Sequence, residues 1–261
     1  MIHVLQLGRL DYATALELQR SLVELRKRGE IGDVLLLLEH TPVITLGRNA
    51  KAEHVLASRE QLAARGVEVF ECDRGGDVTY HGPGQLVGYP IFDLRGFTTP
   101  EGPRKTLGAL EFVRRLEEVL IRTCADFGIA ARRVPGRTGV WTEQNDAKVA
   151  AIGVHISRGV TSHGFALNVS TDLGAFELIV PCGIADKSVT SLARELGNAP
   201  VLDKVAESAA RNFGVVFESQ VLWVENLEAL LGGRIGVPMK PPAELRQMHE
   251  GTMHGEEETW A

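Results

Sequence analysis

Several features are scarce or missing in this chain, and each absence excludes something. The longest unbroken apolar run is Val34 to Leu38, far short of the ~20 residues that a membrane-spanning helix needs. Cysteine is rare: Cys72, Cys124 and Cys182 are the only three, widely spaced and with no C-x-x-C. An odd, scattered set argues against a disulfide framework and fits a reducing compartment. Positive charge is not in excess. With 28 Lys and Arg against 34 Asp and Glu, the formal net charge is -6 and the pI about 5.8, so non-specific nucleic-acid binding is not expected. The start, M-I-H-V-L-Q-L-G-R-L, lacks a basic region followed by a long apolar stretch, so no secretory leader is expected. There is neither a G-x-x-x-x-G-K-S/T loop nor a G-x-G-x-x-G fingerprint, so phosphate binding lacks its usual signature. These absences leave a soluble cytoplasmic protein with no membrane and no nucleic-acid partner.

What is present suits a sizeable core. The 261 residues are 44% hydrophobic and 24% charged, enough for one large domain or two small ones. Asp11 to Arg28 reads as an amphipathic helix, with Asp11 able to cap it and Gly29 ending it. Asp33–Glu39, Val43–Leu46 and Val67–Glu71 read as strands, with a short helix over Ser58–Arg65. Leu86–Leu94 contains Pro90, which suits an edge strand. Lys105–Phe127 is the longest helix, and its expected buried stripe is Leu107, Leu110, Val113, Leu116, Leu120, Cys124 and Phe127. Thr138–Thr142 and Lys148–Ile156 can pair. Short helices follow over Thr190–Leu196 and Leu202–Asn212, then a strand over Val215–Glu218 and a weak helix over Glu225–Leu231. Hairpins outnumber clear β-α-β units. The expected class is therefore α+β: a mixed, largely antiparallel sheet flanked by helices. A single domain is expected over 1–237. From Pro238 the composition shifts to Pro, Met, His and Glu, and 238–261 reads as a poorly ordered tail.

The stretch with most chemistry runs from Lys148 to Cys182. Val149–Ile156 is rich in β-branched residues, Ser157-Arg158-Gly159 gives a turn signal, and Phe165–Val169 returns. Period two puts Ala150, Ile152, Val154 and Ile156 on one face, and Lys148 shares their parity. A buried ammonium is costly unless it is paired or its pKa drops. A thiolate would satisfy it, and a nearby cation lowers a thiol's pKa from about 8.5. That pairing would make Cys182 a nucleophile and Lys148 its activator. The plainer readings are a solvated lysine and a small buried cysteine. A second stretch, Arg74 to Gln85, holds four glycines in twelve residues. It reads either as a turn-rich loop or as bare backbone beside a ligand, with Arg74, Thr79, His81 and Gln85 supplying polar groups.

Taken together, E-H-T-P-V-I-T-L-G-R (39–48), R-G-G-D-V-T-Y-H-G-P-G-Q (74–85), K-V-A-A-I-G-V (148–154), S-H-G-F-A-L-N-V (162–169) and P-C-G-I (181–184) resemble the octanoyltransferases of lipoate biosynthesis. The resemblance covers about residues 1–217. It implies the fold of biotin- and lipoate-protein ligase catalytic domains. It also implies transfer of an octanoyl group from octanoyl-acyl carrier protein to a lysine of lipoyl domains, in 2-oxoacid dehydrogenase complexes and the glycine cleavage H protein. No cofactor, metal or ATP is implied. The family's acyl-thioester cysteine falls on Cys182 and its activating lysine on Lys148. Its substrate-binding positions fall on Arg74, Gly75, Gly76, Asp77, Val78, Thr79, Tyr80 and His81, on Ala151, Ile152 and Gly153, and on Gly164, Phe165 and Ala166. His163 and Gln85 are given ordering roles. Arg132, Arg133, Arg137 and Arg158 are candidates for docking the acidic carrier protein. Three other readings compete: an ATP-dependent ligase of the same fold, a non-catalytic carrier-binding module, and a cysteine hydrolase using His163 and Asn168.

Overall fold

Strand β2 (Asp33–His40) carries an unbroken apolar stretch because both of its faces are covered. Val34, Leu36 and Leu38 pack into one core, and Leu35 and Leu37 into the other. The computed structural model describes residues 1–97, 106–180 and 188–231; the expected tail over 238–261 lies outside them, as does Cys182. In chain order the remaining elements are β1 (Ile2–Leu10), α1 (Tyr12–Lys27), β3 (Val43–Leu46), α2 (Arg59–Ala64), β4 (Glu68–Glu71), β5 (Val78–His81), β6 (Gln85–Ile91), α3 (Ala109–Asp126), β7 (Ala131–Val134), β8 (Arg137–Thr142), β9 (Lys148–Ser157), β10 (Val160–Asn168), α4 (Leu192–Leu196), α5 (Leu202–Val216), β11 (Val221–Trp223) and α6 (Leu227–Leu231).

The main sheet runs β11-β1-β2-β6-β10-β9-β8-β7, and a small sheet runs β4-β3-β5. In the main sheet β11, β1 and β2 are parallel and every later pairing is antiparallel. This is the α+β, mixed and largely antiparallel architecture expected. Helix α1 covers one face with Ala15, Leu18, Leu22 and Leu25. Asp11 caps it, accepting from the Thr14 amide at 2.8 Å, and Gly29 takes φ +72° beyond its end. Helices α3 and α5 cover the other face. There Phe92 is ringed by Phe97, Phe112, Phe213 and Phe217 at centroid distances of 5.3 to 6.3 Å. Burying each such ring contributes about 1.5–3 kcal/mol.

Four expectations need correction. Pro90 does not mark an edge: β6 lies between β2 and β10. The β6–β10 ladder stops at Gly88–Phe165. Beyond it Thr161 Oγ1 donates to the Pro90 carbonyl at 2.6 Å and accepts from the Phe92 amide at 2.9 Å. A missing N–H is tolerated where the ladder is already broken. The middle of the glycine-rich stretch is not loop but the buried strand β5. Helix α3 starts at Ala109 and its buried face is Phe112, Leu116, Val119, Leu120 and Cys124, while Leu110 is 71% exposed. Leu107 is buried ahead of the helix. Val215 and Val216 finish α5 rather than start a strand, which comes later as β11; helical periodicity outweighed β-branching there.

Two further features place the site. The β9–β10 hairpin turns through Arg158 and Gly159 at φ +52° and +84°. Two consecutive positive φ values make the tight turn whose twist matches the strands. The β7–β8 hairpin is tied to α3 through Glu117. Its carboxylate is fully buried and accepts from Arg114 at 2.6 Å, Arg133 Nε at 3.2 Å and the Gly139 amide at 3.1 Å.

Candidate active site

Strand β5 and the turn before it close over the hairpin β9–β10 and leave a narrow cleft, concave and mostly apolar as small-ligand sites are. Its apolar floor is Ala151, Ile152 and Gly153 from β9 with Gly164, Phe165 and Ala166 from β10. These are cross-strand partners: Ala151 faces Ala166, Ile152 faces Phe165, and Gly153 faces Gly164. Opposite them lie Arg74, Gly75, Gly76 and Asp77 with Thr79 and His81. The turn sits against β9 backbone, with Gly75 N–H donating to the Val154 carbonyl at 3.0 Å. A Cβ on Gly153 would come within 2.5 Å of the Gly75 oxygen, so glycine is what permits this approach.

Arg74 is buried, yet its partners are oxygens of neutral groups. It donates to the Thr45 carbonyl at 2.6 Å, to Thr45 Oγ1 at 2.9 and 3.1 Å, and to the Gly75 carbonyl at 3.1 Å. Three carbonyl and hydroxyl acceptors shape the turn around a planar fork, which lysine could not do. Thr45 Oγ1 lies 3.4 Å from His81 Nε2.

The floor continues into a second, smaller chamber that shares Thr79, Ala151 and Ala166 with the first and is also lined by Lys148, Ala150, Gln85, Asn168 and Phe176. Lys148 is half-buried at the start of β9, its Nζ 5.1 Å from the centre of the Trp141 ring, a cation–π distance. Its backbone is pinned twice: its N–H donates to Ser188 O, and its carbonyl accepts from Thr190 N–H, each at 2.9 Å. A buried polar chain leads to the same point. His81 Nδ1 donates to Gln85 Oε1 at 2.8 Å, Gln85 Nε2 donates to Asn168 Oδ1 at 2.9 Å, and Asn168 Nδ2 donates to Thr190 O at 3.0 Å. Each amide is thus fixed in orientation, so the strand bearing Lys148 is held relative to the glycine-rich segment.

Around the cleft the histidines are kept neutral. Burial pushes His40 down to about 4. Its Nδ1–H donates to the Leu10 carbonyl at 3.0 Å, and Nε2 accepts from Tyr89 OH at 2.6 Å. Burial also drives His81 well below its ordinary value, helped by the charges of His40 and Arg74. His163 is lowered by burial against the opposing pull of Asp73, to which Nε2 donates at 2.8 Å. Asp73 itself ends below the usual carboxylate range: burial raises it, but the His163 bond and charge outweigh that.

The residues singled out from sequence are sorted by strand parity. Of the segment 74–81, Val78 and Tyr80 do not reach the cleft; they pack into the core under the small sheet with Ile44 and Leu178. Thr79 and His81, one step out of phase, face the cleft. Gln85 belongs to the Lys148 chamber, and His163 lines the first cleft. Tyr12, Tyr89, Asp73 and Phe176 were not singled out. Tyr12 and Tyr89 read as helix and strand core, and nothing local signals that α1 delivers its first residue to the cleft. Of the arginines, Arg132 is paired with Asp146 at 2.7 Å. Arg133 is committed to Glu117 and Glu118 at 3.2 and 2.8 Å. Arg133 therefore joins the Glu117 anchor, while the Arg132–Asp146 pair lies at the surface.

The fold and the two chambers define a catalytic domain of the lipoyl protein ligase class. The family model described as "Lipoyl protein ligase A/B catalytic domain" matches residues 11–214. A crystal structure of lipoate-protein ligase A bound with ATP superposes with a TM-score of 0.66 at 16% identity, over 87% of this chain and 89% of that one. At that identity the likeness is one of fold. Nearer relatives narrow it. An octanoyltransferase of Koribacter versatilis is 61% identical over 255 residues, 97% of this chain and 99% of the relative. One of Acidobacterium capsulatum is 63% identical over 237 residues, 88% and 96% of the two chains. The chain belongs to the octanoyltransferase family and is an acyltransferase. Among the described residues, no helix is long and apolar enough to cross a membrane.

Proposed function

We propose that the chain moves an octanoyl group from octanoyl-acyl carrier protein to a lysine of lipoyl domains, in the cytoplasm, through an acyl-thioester on Cys182. The observation that carries the reading is the apolar slot over the β9–β10 floor, whose Ala151 and Ala166 also line the chamber of Lys148. Seven buried methyl and methylene groups at about 0.8 kcal/mol each would hold the chain. Ser188, six positions beyond Cys182 in sequence, bonds the Lys148 backbone, which supports bringing the two side chains together.

The Cys182 thiolate attacks the thioester carbonyl, forming a new C–S bond. The carrier's C–S bond breaks, and its thiolate takes a proton from the Lys148 ammonium. The incoming lysine, as a free amine, then attacks the acyl-enzyme. An amide bond forms, Cys182 leaves as thiolate, and the amine's proton returns to Lys148. Thioester to amide runs downhill, so no ATP is consumed. Gln85 and Asn168 order the chamber, and backbone amides near Gly183 receive the developing oxyanion.

Transfer from octanoyl-carrier protein to an isolated lipoyl domain without ATP tests this. Wild type transfers the chain. Cys182→Ala falls at least about 10³-fold, the scale of nucleophile removal. Lys148→Ala slows acylation and shifts its pH profile upward, toward that of an ordinary thiol. An absolute requirement for ATP, or Cys182→Ala of undiminished rate, contradicts the proposal.

A further inference from the structure

The strand that carries Lys148 is irregular just where the lysine sits. Val140 of β8 pairs with Ala150 of β9, but the next residue, Trp141, pairs with Lys148. One step on β8 thus spans two on β9, and Val149 is the extra residue. Regular pairing would set Val149 opposite Trp141; the bulge sets Lys148 there instead. Bulges of this kind re-aim a side chain and are over-represented beside active sites. The Lys148 N–H and carbonyl are turned away from β8, to Ser188 O and Thr190 N–H. Lys148 and Trp141 are therefore a non-hydrogen-bonded pair, the kind whose side chains lie closest.

The re-aimed lysine meets a surface shaped to receive it. Trp141 is fully buried, so packing fixes its ring, and Lys148 Nζ lies 5.1 Å from the ring centre. Two residues earlier on β8, Gly139 has φ +125°. A Cβ there would stand 2.7 Å from Lys148 Cε and 3.4 Å from Nζ, so glycine is what lets the lysine stem lie across β8. The Gly139 N–H donates to Glu117 Oε1 at 3.1 Å, which ties this surface to α3. Bulge, ring and glycine act on one side chain, and each is placed by a different part of the backbone.

We propose that Trp141 is a positioning residue for the transfer: its ring face holds the Lys148 ammonium in the chamber, ready to pass its proton. The proposal rests on the octanoyl-transfer reading, in which Lys148 protonates the departing carrier thiolate. A lysine has a flexible four-carbon stem. Fixing it beforehand removes an entropic cost from the proton-transfer step. A tryptophan present only for packing would act the same whether or not a cation lay opposite. One that positions the ammonium acts only through it.

The test replaces Trp141 alone by tetrafluorotryptophan, which nearly keeps the ring's shape but removes the negative face that attracts a cation. The replacement is crossed with Lys148→Met in the full chain, and acylation of Cys182 by octanoyl-carrier protein is followed in a single turnover. With Lys148 present, fluorination is expected to slow acylation about fivefold, the scale of a partly desolvated cation–π contact. In Lys148→Met it is expected to change the rate by less than about twofold, because the two positions are coupled. No slowing with Lys148 present, or equal slowing in both backgrounds, overturns the proposal. Urea unfolding of the same set keeps the outcomes separate. Absence of acyl transfer by the wild type sinks the octanoyl-transfer reading. A coupling of about fivefold in the folding equilibrium between the two positions then still supports the seat of the ammonium on Trp141, and additive effects overturn it. The same unfolding comparison decides if Lys148→Met is too slow to time.

Discussion

At Glu117 both carboxylate oxygens are taken, by Arg114, Arg133 and the Gly139 amide. Around Tyr12 and His163, equally buried polar atoms are left open. The difference separates structure from function. A buried charge with both oxygens engaged rigidifies the β7–β8 hairpin on α3. A buried hydroxyl and imidazole held in place by their neighbours, but with an unused hydrogen-bonding atom, are poised for something that enters.

The largest effect expected from this contrast is at the anchor. Glu117→Ala removes the acceptor for two arginines and a buried amide, and should cost about 3–5 kcal/mol in urea unfolding, as for the loss of one partner of a buried ion pair. A loss below about 1 kcal/mol would mean that the hairpin is fixed by packing alone. Next comes acid sensitivity. His40 is neutral in the folded state with its value near 4, against about 6.5 unfolded. The unfolded chain therefore binds the extra proton, and stability present above pH 6.5 is lost as pH falls toward 4. The window is worth roughly 3 kcal/mol by linkage. Thermal unfolding against pH should fall across it, and His40→Gln should flatten the fall. The lowered carboxylates, such as Asp93 and Asp126, act below that window.

Smaller again is Arg74→Lys. An ammonium cannot serve Thr45 O, Thr45 Oγ1 and Gly75 O together, so about 1–3 kcal/mol of stability should go, with a rise in KM as the turn loosens. The smallest change is the stability effect of Tyr12→Phe. The deleted oxygen has only the weakly bonding Cys72 thiol beside it, so the shift should stay within about 1 kcal/mol or favour the variant. A loss as large as that at Glu117 would erase the contrast between the two regions.

Much of the fold was legible because local signals agreed. The Asp11 cap, Ser58 with its reciprocal Gln61 partner, and Ser191 before α4 were all where helices begin. What failed was whatever depends on neighbours in space. The alternation in I-H-V-L-Q-L was not read as the strand β1, and Pro90 was given an edge because the break in its ladder is made by Thr161, 71 residues away. The glycine-rich segment was legible as a site, but its strand parity, which sends Val78 and Tyr80 to a core, was not. Asp73 and Tyr12 joined the cleft only through contacts with β10 and the histidine cluster.

Incubating the full chain with octanoyl-carrier protein and reading its intact mass and peptides tests the central chemical claim most directly. The account predicts one added octanoyl group, on the peptide containing Cys182, chased off when a lipoyl domain is supplied. Full transfer to the lipoyl domain with no acylated Cys182 at any time would contradict it.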